Sequence, residues 1–222
     1  MTPTSPVRGE YDALAARYDR RWERYTRESL ELIRPLLARR APGRVLDLGC
    51  GTGALLPRLG VWQPRLGAWH PGVARYTGVD LSAEMLRVAT GKAEGAPFPA
   101  GFAAASADAL PFRDQAFDTV ISASSLHFWA RQEEALVEAL VEARRVLRPG
   151  GRLLLVDWSR DPVAMRLLDA WLRLRSGGRS HHRVLTVAEA QVLLWGVGFS
   201  VNTLELHRIG WPWTLWAAEA VR

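Results

Sequence analysis

Residues Val45 to Gly53 read VLDLGCGTG, an apolar run that stops at an acid and is followed by glycines at 49, 51 and 53, with the chain's only cysteine, Cys50, between two of them. The run has the composition of a buried strand, and a short helical pattern, Ala54 to Leu59, follows the turn. Glycines let a backbone approach a ligand closely, and a helix N-terminus offers unpaired N–H groups to a negative group. The spacing is GxGxG, not the GxGxxG that packs a helix beneath a pyrophosphate. Asp47 stands two residues before the first glycine, at the carboxyl end of the strand. A fixed carboxylate there repels a diphosphate and attracts an ammonium or sulfonium ion, so the loop predicts a ligand carrying positive charge beside it.

Outward from this loop, short apolar runs alternate with helical patterns, the signature of βαβ units and a parallel sheet. The runs are Arg44 to Leu48, Tyr76 to Asp80, Phe102 to Ala105, Phe117 to Ser122 and Arg152 to Asp157, with helices near Ala83 to Thr90 and Glu133 to Leu147. Leu136, Leu140, Ala143 and Leu147 share one helical face, and Pro149-Gly150-Gly151 predicts its stop. Upstream, Tyr11, Leu14, Tyr18 and Trp22 also share a face; the pattern resumes through Leu37, with a break or kink expected at Pro35 and an end at Pro42-Gly43. Downstream, Asp161 is the expected N-cap of a helix from Pro162, a Gly/Ser/His linker covers Ser176 to His182, and Thr186 with Glu189 forms a capping box for a helix to about Trp195. Phe199 to His207 and Trp213 to Val221 are joined too closely to run parallel, and so predict an antiparallel pair.

Composition bounds the remaining possibilities. The 222 residues are 48% hydrophobic and 23% charged, suited to one soluble domain: 1–9 disordered, 10–43 a helical lid, 44–158 a ligand-binding core, 159–222 the closing helices and strands. No apolar run approaches the ~20 residues of a membrane span, and MTPTSPVRGE lacks a secretory core, so no membrane span and a cytoplasmic location are expected. One cysteine excludes an internal disulfide, and no Cys/His spacing suits zinc; His181 and His182 are adjacent and suit a surface loop better than a metal site. The net charge of +6 is carried almost wholly by scattered arginines, with Lys92 the single lysine, which reads as a solvated face and not a nucleic-acid track.

Two further acids complete the pattern. Asp80 ends the second strand in YTGVDLS, where a carboxylate can accept from both hydroxyls of a ribose. Asp108 follows the third strand in SADALPF, where it can accept from an adenine amino group. S-adenosylmethionine fits all three acids, and it has no phosphate. In order along the chain, YDALAARYD, VLDLGCGTG, YTGVDLSAEML, ADALPF, FDTVISASSLHFW and VLRPGGRLLLVDW resemble the class I S-adenosylmethionine-dependent methyltransferases, in particular the ubiquinone/menaquinone-type small-molecule branch.

The resemblance implies a Rossmann-like, doubly wound α/β sheet of seven strands, mostly parallel with an antiparallel C-terminal strand, and a cofactor site of matched residues. It places Asp47, Gly49, Cys50 and Gly51 around the methionine moiety, Asp80 on the ribose, and Leu81 and Met85 near the adenine. Asp108 and Ala109 would bind the adenine edge, Ser122 would lie beside the methyl group, and Tyr18 would cover the cofactor. His127 and Tyr18 are the candidate catalytic residues; His127 reads either as a general base or as a residue ordering its loop.

Cys50 reads as a packing residue in the cofactor's wall. Trp129 and Trp158 are candidates for a substrate wall suited to an apolar or ring-containing acceptor, while most of Trp171, Trp195, Trp211, Trp213 and Trp216 are expected in the core. The lid would include Pro162 to His182, and Trp62, Trp69 and His70 sit in an insertion that either folds over a helix or rims the site. The partner expected is a small molecule and the chain a monomer or homodimer. An RNA or protein methyltransferase, or a catalytically silent binder, is the alternative.

Overall fold

The computed structural model describes residues 6–60, 72–129, 133–175, 183–210 and 213–222. Seven strands form one sheet in the order β3-β2-β1-β4-β5-β7-β6: β1 Gly43–Leu48, β2 Val73–Asp80, β3 Ala100–Ala104, β4 Phe117–Ala123, β5 Leu147–Trp158, β6 Ser200–Arg208 and β7 Thr214–Val221. The first five run parallel, and β7 lies antiparallel between β5 and β6. The order reverses between β1 and β4, and ligands of such sheets bind at the carboxyl ends of the strands beside that point.

Alternation along the strands splits the core between the two faces. Leu46, Leu48, Val120, Leu153 and Leu155 pack against α5 (Glu133–Val146) and α7 (Val187–Gly196). Val45, Ile121, Leu154 and Val156 pack against Leu30, Ile33 and Leu37 of α1 (Pro6–Ala38) and against α2 (Leu56–Gly60). Asp47 shares the face of Val45, so its carboxylate is directed to the α1 side of the sheet.

Several details differ from the sequence reading. α1 begins at Pro6, so residues 6–9 form its first turn, and it runs through Pro35 to Ala38 without ending there. Burial of Ile33, Leu36 and Leu37 offsets the lost Pro35 hydrogen bond, and Arg152 of β5 donates to the Leu36 and Arg40 carbonyls at the helix end (2.8 and 2.6 Å). The α5 pattern ends at Val146, and Leu147 already pairs with Phe117. Asp161 does not cap α6 (Val163–Arg175): its carboxylate accepts from Ser159 Oγ and from the Val187 N–H at the start of α7. The Thr186–Glu189 capping box is present. Trp216 is buried, but Trp171 and Trp195 are 50% and 57% exposed, because Met165 of α6 and Ala190 and Leu194 of α7 occupy the inward faces. The insertion residues Trp62, Trp69 and His70, the linker through His181 and His182, and Trp211 lie outside the described residues.

Candidate active site

At the carboxyl ends of β1, β2 and β4 opens a cavity of about 650 Å³ bounded by α1. Asp47 is on its floor, only 4% exposed, with the Tyr76 hydroxyl donating to its Oδ2 at 2.6 Å. Burial pushes the Asp47 carboxyl from 3.8 up to about 7, against the downward pull of the Tyr76 hydrogen bond and with a further push from Asp80. Gly78 stands opposite Asp47 on β2. A Cβ there would lie 2.7 Å from the Phe102 ring and 2.8 Å from Cys50 Sγ, so the bare backbone is what lets both side chains close against the floor.

All three loop glycines adopt the left-handed conformation, with φ of +69°, +52° and +70° at Gly49, Gly51 and Gly53. The tight turn lets the Gly49 and Cys50 N–H groups donate to the Val79 carbonyl (2.8 and 3.0 Å) and Gly51 N–H to Asp80 Oδ2 (2.9 Å). These donors, expected to meet a ligand carboxylate, are engaged inside the protein. Asp80 also accepts from Ser82 N–H at 2.9 Å, and burial raises its pKa. Burial, then Asp47 and Asp80, push the Cys50 thiol well up, so it is not a thiolate nucleophile.

α1 covers the cavity with Arg8, Tyr11, Tyr18 and Tyr25, the tyrosines spaced by seven. Tyr11 packs 5.9 Å from Tyr18 and edge-on to Phe128 at 5.3 Å. Burial, with Asp80 and Asp19 adding to it, holds the Tyr18 phenol protonated, its pKa raised to about 12. Two aspartates of α1 fasten it to the ligand loops: Asp12 to Ser82 Oγ (2.5 Å), Asp19 to Thr52 Oγ1 (2.5 Å) and to Lys92 (2.6 Å). Beyond β4, Ser124, Ser125, Phe128 and Trp129 form the wall.

Of the residues singled out in the sequence, Tyr18, Asp47, Gly49, Cys50, Gly51, Asp80, Leu81, Met85 and Asp108 line this cavity. Ala109, Ser122, His127 and Trp158 do not, and no described residue after Ala139 does, so α6 is not part of the cover. Ser122 turns its hydroxyl to Ser125 Oγ (2.8 Å), which bonds the Leu48 carbonyl (3.0 Å). The His127 ring is 3% exposed, its Nδ1 2.6 Å from Asp157 Oδ1 and its face stacked on Trp158 at 4.7 Å. Its own N–H donates to the second Asp157 oxygen at 3.1 Å. Sequence reasoning missed Arg8, Tyr11, Tyr25, Ser124 and Phe128; the seven-residue spacing of the tyrosines was the signal available for two of them.

The methyltransferase domain family matches residues 46–155 of the chain. The chain is 38% identical over 127 residues to a demethylmenaquinone methyltransferase of Thermus thermophilus, covering 57% of this chain and 52% of that protein. It is 31% identical over 182 residues to the ubiquinone/menaquinone biosynthesis C-methyltransferase UbiE of Hahella chejuensis, covering 75% and 66%. The chain thus spans about half to two thirds of the length of these curated relatives. Among solved structures, magnesium protoporphyrin IX methyltransferase from Synechocystis PCC 6803 with bound SAH shares the fold, with a TM-score of 0.69 at 21% identity, covering 97% of this chain and 98% of that one.

Proposed function

The chain belongs to the class I S-adenosylmethionine-dependent methyltransferases, and on that premise we propose that it methylates a small-molecule acceptor from S-adenosylmethionine. The observation that carries this reading is the convergence of Asp47 and Asp80, from the carboxyl ends of β1 and β2, and Asp108, from the loop after β3, on one cavity where Arg8 is the facing cation among the described residues. That acidic cradle fits a cationic ligand without phosphate.

In this reading Asp47 faces the ammonium and sulfonium end of the ligand, between Gly49, Cys50 and Gly51. Asp80 accepts from the ribose hydroxyls, Leu81 and Met85 pack on the adenine, and Asp108 meets its edge, with Ala109 next to it in the chain and off the cavity wall. Tyr18, held protonated, lies over the ligand from α1. Ser122 acts through Ser125, which it orients. His127 positions the wall of Phe128 and Trp129 through Asp157, in place of serving as a general base.

When bound, S-adenosylmethionine supplies a methyl carbon activated by a sulfonium. An acceptor aligned with it would form its bond to that carbon as the carbon–sulfur bond breaks, the sulfur keeping the pair and the acceptor's proton leaving to bulk water. The chain contributes alignment and exclusion of water, effects that reach about 7–11 kcal/mol in well-oriented reactions. The aromatic lining (Tyr11, Tyr18, Tyr25, Phe128, Trp129) supports an apolar or ring-containing acceptor, as do the names of the relatives.

Calorimetric titration with S-adenosylhomocysteine tests the reading: binding by the native chain, lost in Asp80→Ala, is expected. Absence of binding by the native chain would overturn it. Methyl transfer from labelled S-adenosylmethionine to RNA or protein, but to no small molecule, would favour the macromolecular alternative.

A further inference from the structure

Three hydrogen-bonding groups next to the cavity form a chain whose direction chemistry dictates. The Trp158 indole N–H donates to Tyr25 Oη, and an indole has no acceptor. The Tyr25 hydroxyl donates its single proton to Ser124 Oγ at 2.8 Å. Ser124 Oγ therefore accepts, and its own proton must be handed onward. Among the described residues nothing accepts it, and Ser124 lines the cavity.

The chain is rigid at both ends. The Tyr25 ring is held edge-on by Trp22, Trp158 and Trp213, with ring centres 6.1 to 6.2 Å away. Burial keeps the Tyr25 proton on its oxygen. Ser124 sits at φ +60°, a conformation that a non-glycine residue adopts at some cost, and its N–H is fixed to the Val156 carbonyl at 2.7 Å. Strain of this kind persists where the surroundings over-determine the residue, which places the hydroxyl at a defined point on the cavity wall.

We propose that Ser124, oriented by Tyr25 and Trp158, donates a hydrogen bond to a carbonyl, phenolate or carboxylate oxygen of the methyl acceptor, and that this subsite discriminates against acceptors presenting an ammonium there. The term acceptor rests on the methyl-transfer reading above; the hydrogen-bond polarity does not. An ammonium can meet only the second lone pair of Ser124 Oγ, which leaves the Ser124 proton without an acceptor, and an unpaired polar group of this kind discriminates more strongly than missing apolar contact.

The test is calorimetry at about pH 8, where both probes below are charged, on the protein saturated with S-adenosylhomocysteine. The probes are 2-naphthoate and (2-naphthyl)methylammonium. Ser124→Gly removes the hydroxyl while suiting the left-handed backbone, so loss of folding does not cloud the result. The expected outcome is a drop in 2-naphthoate affinity of about tenfold, the scale of a hydrogen bond to a charged group, with ammonium affinity unchanged or improved. Tyr25→Phe gives a smaller drop of the same sense. Unchanged naphthoate affinity in Ser124→Gly, an equal loss for both probes, or no binding of either probe by the native chain would overturn the proposal. Failure of S-adenosylhomocysteine itself to bind overturns the functional reading instead, and the saturating titration reveals that separately.

Discussion

The hydroxyl of Tyr76 donates to the carboxylate of Asp47 across 2.6 Å, joining two buried side chains on the α1 side of the sheet. Asp47 is held close to its protonation midpoint near neutrality by burial, and this bond is the largest influence keeping it ionised. Replacing Tyr76 by Phe therefore raises the Asp47 pKa further. The expected result is a loss of S-adenosylhomocysteine affinity of about fivefold at neutral pH, the scale of one hydrogen bond, shrinking as pH rises. Calorimetry across pH reads it; an unchanged pH profile in the variant would rule it out.

The same burial predicts a stability profile. A raised carboxyl pKa means that between 3.8 and about 7 the folded chain keeps a proton the unfolded chain has released, so stability falls as pH rises through that window. Asp47→Asn removes the cost of the buried charge. It should stabilise the ligand-free protein above neutral pH by on the order of 2 kcal/mol while weakening ligand binding, and the stability gain should fade as pH drops toward 4. Thermal denaturation at several pH values checks this.

Asp157 serves the His127 N–H, the His127 ring and the Trp158 N–H at once (3.1, 2.6 and 2.6 Å). Asp157→Ala leaves these buried donors without their acceptor, and the expected destabilisation is about 3 kcal/mol. His127→Gln should lower the denaturation midpoint yet leave S-adenosylhomocysteine affinity near the native value. A variant that keeps native stability but loses turnover at every pH would restore the general-base role.

Arg152 is buried between the end of α1 and Glu219 of β7, with its guanidinium on the Leu36 carbonyl of the helix and the Arg40 carbonyl just past it, and 3.4 Å from the acid. Arg152→Met strands both carbonyls and weakens compensation of the buried Glu219 charge, which Arg39 still meets at 2.7 Å. A loss of about 3 kcal/mol in denaturant unfolding is expected.

Asp12 and Asp19 fasten the front of α1 to the loops around Asp80 and Gly51. Each of Asp12→Ala and Asp19→Ala should speed S-adenosylhomocysteine dissociation by about fivefold, the equivalent of one net hydrogen bond. Stopped-flow dissociation measures this, and native rates in both variants would show that the helix does not retain the ligand.

The sheet was legible because its cues are local and periodic: VLDLGCGTG, the alternating runs and the short RIGWP connection suffice for parallel strands and a closing antiparallel pair. The acids on the cavity were legible because Asp47 and Asp80 stand at the carboxyl ends of their strands and Asp108 in the turn that follows the third. What escaped depends on three-dimensional neighbours. Nothing in the stretch YTGVDLS shows that Tyr76 reaches under Asp47, since that contact needs the β1–β2 register and the bare Gly78. His127 looked catalytic by its place after β4, but only the fold brings Asp157 and Trp158 around it. Asp161 had the residue type and position of a cap for one helix and serves the next, because a long-range contact to Val187 wins over the local one. Trp171 and Trp195 show that a large apolar residue does not by its size choose the inward face of a helix.

The anchoring of α1 has an evolutionary reading. Its C-terminal end is fixed in the core by Leu30, Ile33, Leu37 and the buried Arg152, whereas the stretch before it faces the cavity through Arg8, Tyr11, Tyr18 and Tyr25. Inheritance can therefore exchange about the front five turns for others without rewriting the strands that hold the acids, and a new acceptor preference can arise from a handful of changes in one helix. Residues 8 to 25 are where divergence among close descendants of this chain would alter chemistry soonest.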